Sequence, residues 1–249
     1  VEALAGGDLG AAYALPGFES AARMVRHLGA DMHHQRFLAP YLSEKAWLGA
    51  VAWHDGEVPL TATEHADGWC LQGSKIAVDR APLAGYIVAR VNVAERGAMI
   101  VALGSDLPGI RVDEPRWKLG LTSTPAADVH FEGVIIDEGA VLGSASECHE
   151  SLRRVWMENA VITAAYHVGV ARAAHEYALK YTQERVAFGK PIAHFQAVAF
   201  MLADAAMLVD AARWSVWRAA WGLDCEKTQD EPVGQALVNA SEAATRIVD

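Results

Sequence analysis

Apolar positions in the first forty residues recur at helical spacing, with Ala22, Val25 and Leu28 followed by Phe37, Leu38 and Tyr41. Gly29 and Pro40 interrupt this pattern, which predicts two short helices between Ala21 and Leu42. From Trp47 the period changes. The runs W-L-G-A-V-A-W, G-W-C-L-Q-G, K-I-A-V, Y-I-V-A-R-V and A-M-I-V-A-L are short and β-rich. Gly68, Gly73 and Gly97, with Pro82, Pro108 and Pro125, punctuate them and suggest a small antiparallel barrel or sandwich. In Asp128–Val134, Val129, Phe131 and Gly133 alternate with Asp128, His130 and Glu132, the pattern of a half-buried strand.

Gly139–Glu150 is rich in Gly, Ser and acids and has little periodicity, so it reads as a boundary. A long helix is expected over Leu152–Glu184, with Val155, Ile162, Tyr166, Val170, Ala174 and Tyr177 near one stripe. Its alanines and Gly169 suit close packing. A second helix is expected over Phe195–Leu223, in which Trp214, Trp217 and Trp221 form a core or interface stripe. Asp230-Glu231-Pro232 resembles the cap and first turn of a third helix running to Asp249. The order helices, β module, helices reads as α+β, divided at residues 1–46, 47–145 and 146–249.

Between the long helices, E-R-V-A-F-G-K-P-I-A-H-F-Q carries the clearest local signals. Gly189 suits a left-handed residue just past a helix end, and Pro191 blocks further helix. Arg185 then closes one helix, and Gln196 lies in the first turn of the next. An arginine fork beside free helix N–H groups could hold an anion, a charge-assisted bond contributing about 1.5–3 kcal/mol. The plainer reading is an arginine placed well at a helix C-terminus, worth about 0.3–1 kcal/mol. The residues alone leave both open.

Composition narrows the function classes. Of 249 residues 52% are apolar, which argues against disorder and allows a sizeable core. The formal charge of -10 argues against a nucleic-acid partner, although a local arginine can still hold an anionic cofactor. Cys70, Cys148 and Cys225 form neither a metal pattern nor a disulfide framework; each reads as a small buried hydrophobe in a reducing cytoplasm. His33 and His34 lack a carboxylate at ligand spacing and read as a solvated loop or helix face, so no metal site is expected. No apolar run is long enough to span a bilayer, and no secretory signal is visible.

The segment Tyr181–Ala206, Y-T-Q-E-R-V-A-F-G-K-P-I-A-H-F-Q-A-V-A-F-M-L-A-D-A-A, closely resembles the acyl-CoA dehydrogenase family. So does Lys118–Val134, K-L-G-L-T-S-T-P-A-A-D-V-H-F-E-G-V. The resemblance covers nearly the whole chain and is weak between His54 and Arg80. It implies a three-part fold: a helical segment, a central β domain and a C-terminal long-helix bundle. It also implies further helical portions before Val1 and after Asp249. The implied activity is α,β-desaturation of an acyl-CoA thioester, with FAD as cofactor and an electron-transfer flavoprotein as electron acceptor. The residues matching Arg185, Phe188 and Gln196 reach, in this family, towards FAD held by a neighbouring subunit.

Other family elements are altered. The resemblance implies a catalytic glutamate beyond Asp249 in most members; a second group places it at Asn159, which cannot act as a base. Glu158 is adjacent, but one residue turns a helical side chain by about 100°, so it reads as a helix-surface acid. The T-E-P motif is absent from Ala52–Thr61. The G-x-K-x-W-I-T-N motif keeps Gly73 and Lys75 but has Ala77, Asp79 and Arg80 in place of its tryptophan, threonine and asparagine. Where members carry an arginine for the adenosine phosphates, this chain has Ala160; Arg153 and Arg154 read as an exposed basic pair. Three readings follow: a divergent dehydrogenase acting as a homo-oligomer, a partner subunit of a hetero-oligomer lending FAD contacts, and an acyl-CoA-binding or scaffold protein that keeps only the fold.

Overall fold

The computed structural model describes residues 1–15, 20–42, 48–225 and 230–249. Trp47, where the β pattern begins, and the Tyr41 side chain lie outside the described residues. The helices are α1 (Glu2–Gly7), α2 (Leu9–Ala14), α3 (Ser20–Leu28), the single turn α4 (Asp31–His33), α5 (His149–Glu184), α6 (Gln196–Asp224) and α7 (Asp230–Val248). The strands are β1 (Leu48–Ala52), β2 (Thr61–His65), β3 (Gly68–Asp79), β4 (Ala84–Val93), β5 (Gly97–Gly104), β6 (Ile110–Val112), β7 (Ala126–Ile136), β8 (Val141–Ser144), β9 (Val186–Ala187) and β10 (Lys190–Pro191). Two compact units result: Ala14–Val155, and Val1–Tyr13 with Trp156–Asp249.

In the unit Ala14–Val155, strands β1–β8 form one sheet in the order β6-β7-β3-β2-β4-β5-β8, with β1 also on β4. This mixed, open sheet replaces the antiparallel barrel or sandwich expected from the strand pattern. β1 and β2 run parallel to successive lengths of β4, Leu48–Ala52 against 84–89 and Thr61–Ala62 against 92–93. The apolar run in β4 is continuous because both of its faces are covered. Ile87, Ala89 and Val91 join Leu60, Leu71, Val101, Phe131 and Val134 on one face. Tyr86 and Val88 meet Ala21, Val25 and Phe37 on the other.

Two bulges re-aim side chains along this sheet. Opposite Leu71 and Gln72, Gly133 is the extra residue, at φ +66, so Val134 rather than Gly133 takes the inward place. The alternation expected across Asp128–Val134 is broken there. A second register shift falls between Lys75 and Val78, and contains Ala77 at φ +49.

The expected second short helix becomes α4 continuing into a π-helical turn, His34–Leu38. His33 is buried rather than solvated, and its Nδ1 accepts the Ala30 N–H at 2.9 Å. Of the three thiols only Cys148 is buried; Cys70 is half-buried and Cys225 exposed.

In the other unit, α5, α6 and α7 share a core of mostly small residues. Met157, Ala160, Ala164 and Val168 meet Ala212, Val216, Ala219 and Leu223, and both meet Val233, Ala236, Ala240 and Ala243. Gly169 shows why small residues are required on α5. A Cβ at that position would come within 2.4 Å of the Glu2 carbonyl oxygen, so α1 lies directly on its backbone. The Glu2 carboxylate accepts from Arg213 at 2.9 Å, which ties α1 to α6. Tyr177, expected on the inward stripe of α5, is exposed, as are Trp214, Trp217 and Trp221 on α6.

Candidate functional site

The connection between α5 and α6 is a small hairpin. The Arg185 N–H bonds the Tyr181 carbonyl at 2.8 Å, extending the last turn of α5. Val186 and Ala187 then pair antiparallel with Pro191 and Lys190. Phe188 and Gly189 are the two turn residues, at φ +50 and +79. Positive φ at both central positions is the turn that fits a right-twisted hairpin and normally selects Asn-Gly or Gly-Gly. Gly189 therefore serves a hairpin turn and not the helix end, because two strand residues intervene.

Phe188 violates the local rule twice. A side chain in the left-handed region costs about 1–2 kcal/mol, and its ring is 95% exposed. Among the described residues its ring contact is an edge-on one with Phe195, at 6.2 Å between ring centroids. The Phe195 ring also carries Lys190 Nζ at 4.7 Å. Ile192 N–H donates to the Arg185 carbonyl at 2.9 Å, closing the base of the hairpin. The Arg185 guanidinium and the Gln196 amide are exposed and make no side-chain bond among the described residues. Phe195 caps α6 without a side-chain acceptor for the first N–H groups. A cation, a ring, an amide and open N–H groups are thus grouped at one hairpin, an arrangement suited to a phosphate joined to an aromatic group.

In the unit Ala14–Val155, the segments aligned with the altered motifs meet at the end of β3. Gly73 is required there, since a Cβ would lie 2.4 Å from the Pro59 carbonyl oxygen. Lys75 is fully buried, its Nζ donating to Asp55 Oδ1 at 2.7 Å and to the Trp53 carbonyl at 3.2 Å. Burial pulls the Lys75 pKa below its usual value despite Asp55. For Asp55, burial alone would raise the pKa, but bonds from Lys75 and the Leu60 N–H bring it below the ordinary range. This buried pair fixes the Trp53–Leu60 loop to β3.

Further along, Asp79 is occupied by Lys118 Nζ at 3.3 Å, and that amine also reaches Thr124 Oγ1 at 3.2 Å. Ala77, Arg80 and Leu121 all have positive φ, a clustering of strain typical of functional loops. Ala77 N–H bonds Asp128 Oδ1 at 2.9 Å, and Arg116 Nε bonds the same oxygen at 2.8 Å. Arg116 holds the Asp128 carboxyl below its ordinary pKa. The Arg80 side chain is buried. On the same loop Trp117 and Leu119 are almost fully exposed. Their exposure was not legible in the sequence, since a tryptophan outside any apolar period carries no positional signal.

Ala160 faces the three-helix core, so its position could not present an arginine to a ligand without opening that core. Glu158 and Asn159 are half-buried on α5 and already engaged with neighbouring groups. Arg153 and Arg154, expected to be exposed, are half-buried, and Arg153 pairs with Glu150 at 3.3 Å. A shallow groove is lined by His167, Ser241, Ala244, Thr245, Val248 and Asp249, which come together from two helices too far apart in the chain for the sequence to indicate it. Burial lowers the His167 pKa, and its Nδ1 has no hydrogen-bond partner among the described residues.

This fold, with its hairpin between two long helices, defines a class. The chain belongs to the acyl-CoA dehydrogenase family, and its residues 152–249 match the family model described as acyl-CoA dehydrogenase, C-terminal domain. It is 29% identical over 232 residues to a 3-(aryl)acrylate reductase of Clostridium sporogenes, covering 89% of this chain and 62% of the relative. It is 34% identical over 194 residues to benzylmalonyl-CoA dehydrogenase of Aromatoleum aromaticum, covering 77% of this chain and 52% of the relative. The structure of butyryl-CoA dehydrogenase from Megasphaera elsdenii superimposes with a TM-score of 0.91 at 27% identity, over 99% of this chain and 67% of that one. The chain therefore spans between half and two-thirds of the length of these relatives. No helix among the described residues is long and apolar enough to cross a membrane.

Proposed function

We propose that the chain is part of a FAD-dependent acyl-CoA dehydrogenase that introduces an α,β double bond into an acyl-CoA thioester. The observation that carries this reading is Phe188, strained at φ +50 and 95% exposed, beside an Arg185 with no ion pair among the described residues. Among the described residues an edge-on contact with Phe195 is set against that cost, and this imbalance supports a bound group as the compensation. Arg185 would donate to a phosphate of the nucleotide, Phe188 would cover an apolar part of it, and Gln196 would donate from the start of α6. Bound FAD supplies the hydride acceptor, and an electron-transfer flavoprotein would reoxidise it. The arm would serve FAD held by a neighbouring subunit, in a reducing cytoplasm that suits three free thiols. We do not assign Glu158 as the base, because it is half-buried on α5 and already interacts with neighbouring groups.

A second reading has a specific observation in its favour. At the end of β3 the chain places Asp79, bound to its own Lys118, and Ala77, which has no ring. Those residues offer a flavin little, so the chain would act as the subunit of a heteromer that lends its hairpin to a partner's FAD. The two readings separate on purification. A protein that is yellow alone and bleaches with an acyl-CoA supports the first; flavin kept only after co-expression with a partner supports the second. Arg185→Ala should weaken FAD binding about tenfold or more in either assembly and so lower its occupancy, as expected for losing a charged hydrogen bond of about 1.5–3 kcal/mol. Unchanged occupancy would exclude the phosphate role.

A further inference from the structure

At one end of the sheet, two hairpin turns enclose a seat for a cation, and the chain fills it with its own arginine. Thr61 and Ala62 of β2 pair with Asn92 and Val93, and β2 then runs on to His65, past the end of β4. Glu64 therefore lies beside the turn between β4 and β5, residues 94–96. It also stands directly opposite Trp69 on β3, so the two side chains share a face of the sheet. Trp69 is 8% exposed, and its indole N–H donates to Glu138 Oε1 at 2.9 Å, which fixes the ring. The Arg96 guanidinium lies over that ring at 5.8 Å from its centroid, and Nη2 reaches Glu64 Oε1 at 2.7 Å.

Two open hollows of about 510 Å³ each meet at this pair. One extends towards Asp67 and Glu138, the other towards Val93 and Glu95. Each has the volume of a side-chain or small-ligand site. The carboxylates of Glu64, Asp67, Glu95 and Glu138 are exposed around the ring and outnumber the single guanidinium of Arg96. Arg96 is held weakly. Its side chain is 65% exposed and that of Glu64 70%, and a pair this exposed gains little over the entropy of fixing two long side chains.

An aromatic face beside a carboxylate is matched to a guanidinium, which stacks on rings and bonds carboxylates through a planar fork. We propose that this seat is a recognition pocket for an arginine side chain of a partner protein, which displaces Arg96 on binding. Arg96 is then an internal stand-in that masks the pocket in the free chain. The outlying carboxylates favour a protein segment over a free guanidino compound. Asp67 and Glu95 sit in different turns, one in each hollow, where they would meet the basic neighbours of an arginine along a chain. The pocket uses none of the residues assigned to the flavin arm and stands apart from that reading.

The test is titration of a fluorescein-labelled Lys-Arg-Lys peptide into the full chain at low salt, followed by anisotropy. The Trp69 indole N–H resonance, assigned through Trp69→Phe, should move as the peptide saturates. Arg96→Ala should tighten binding about threefold or more by vacating the ring, with unchanged far-ultraviolet dichroism because the side chain is exposed. Losing a positive charge favours any cation, so Lys-Lys-Lys is the control, and the preference for Lys-Arg-Lys over it should widen in the variant. Glu64→Gln in the Arg96→Ala background should cancel the gain. Free argininamide should bind more weakly than the peptide. No tightening in Arg96→Ala, an equal gain for Lys-Lys-Lys, a gain that survives Glu64→Gln, or an unmoved Trp69 resonance would each overturn the pocket. Argininamide binding as tightly as the peptide would overturn the protein partner.

Discussion

Removing Asp55 and removing Lys75 break the same ion pair, yet the structure makes the two losses unequal. Lys75 has no solvent exposure, and its one other acceptor among the described residues is the neutral Trp53 carbonyl. Asp55 keeps 26% side-chain exposure, the Leu60 N–H at 3.1 Å and Asn92 Nδ2 at 3.3 Å. Asp55→Ala therefore strands a buried ammonium, at a cost of about 3–5 kcal/mol. Lys75→Met leaves a carboxylate that water and two donors still stabilise, at about 1–2 kcal/mol. Urea unfolding at pH 7, followed by far-ultraviolet dichroism with an unchanged slope, measures both. The pH dependence gives a second readout. In Asp55→Ala the native Lys75 has its pKa depressed by burial, while the unfolded lysine keeps a proton up to about pH 10.4. The unfolded state then binds more protons, so the deficit against wild type must shrink as pH rises from 7 towards 10. If Lys75→Met proves as costly as Asp55→Ala, or the deficit does not narrow with pH, the buried-charge argument is wrong.

Phe188→Gly should raise the stability of the flavin-free chain by up to about 1 kcal/mol, because glycine accepts φ +50 without strain, yet lower flavin retention. A thermal melt read beside flavin absorbance decides it, and lost stability would refute the strain argument. Gly169→Ala gains about 1 kcal/mol of helix propensity, but forces a Cβ to within 2.4 Å of the Glu2 carbonyl. Overpacking of about 1–3 kcal/mol should win, giving a lower urea midpoint; a higher one would show that α1 does not rest on α5. Burial lowers the pKa of both His33 and His167 below 6.5, so each contributes stability that is complete above the unfolded value and is lost as pH falls through the native one. The unfolding free energy from urea titrations should drop between pH 7.5 and 5.5, by up to about 1.4 kcal/mol per pH unit for each histidine. His167→Gln should flatten that slope, and an unaltered slope would exclude its contribution.

The three long helices were legible in the sequence because their signal is local: a 3.6-residue period, an acidic first turn at Asp230–Glu231 and small residues such as Gly169 are written within single segments. The stretch between Arg185 and Gln196 was likewise marked as a junction by its glycine and proline. Its shape was not legible, because Phe188 occupies a turn position that its own propensity opposes. The open sheet was hidden for another reason. Parallel pairing of β1 and β2 with β4 joins residues more than thirty positions apart, as Leu48 with Ala84 and Thr61 with Asn92, and alternation within one strand carries no record of its neighbour. The tryptophan row on α6 shows the division most clearly. Spacing determined that Trp214, Trp217 and Trp221 share a side of the helix, whereas only packing decided which side. The alanine face docked against α5 and α7 because small residues allow close backbones, and that left the rings facing outward.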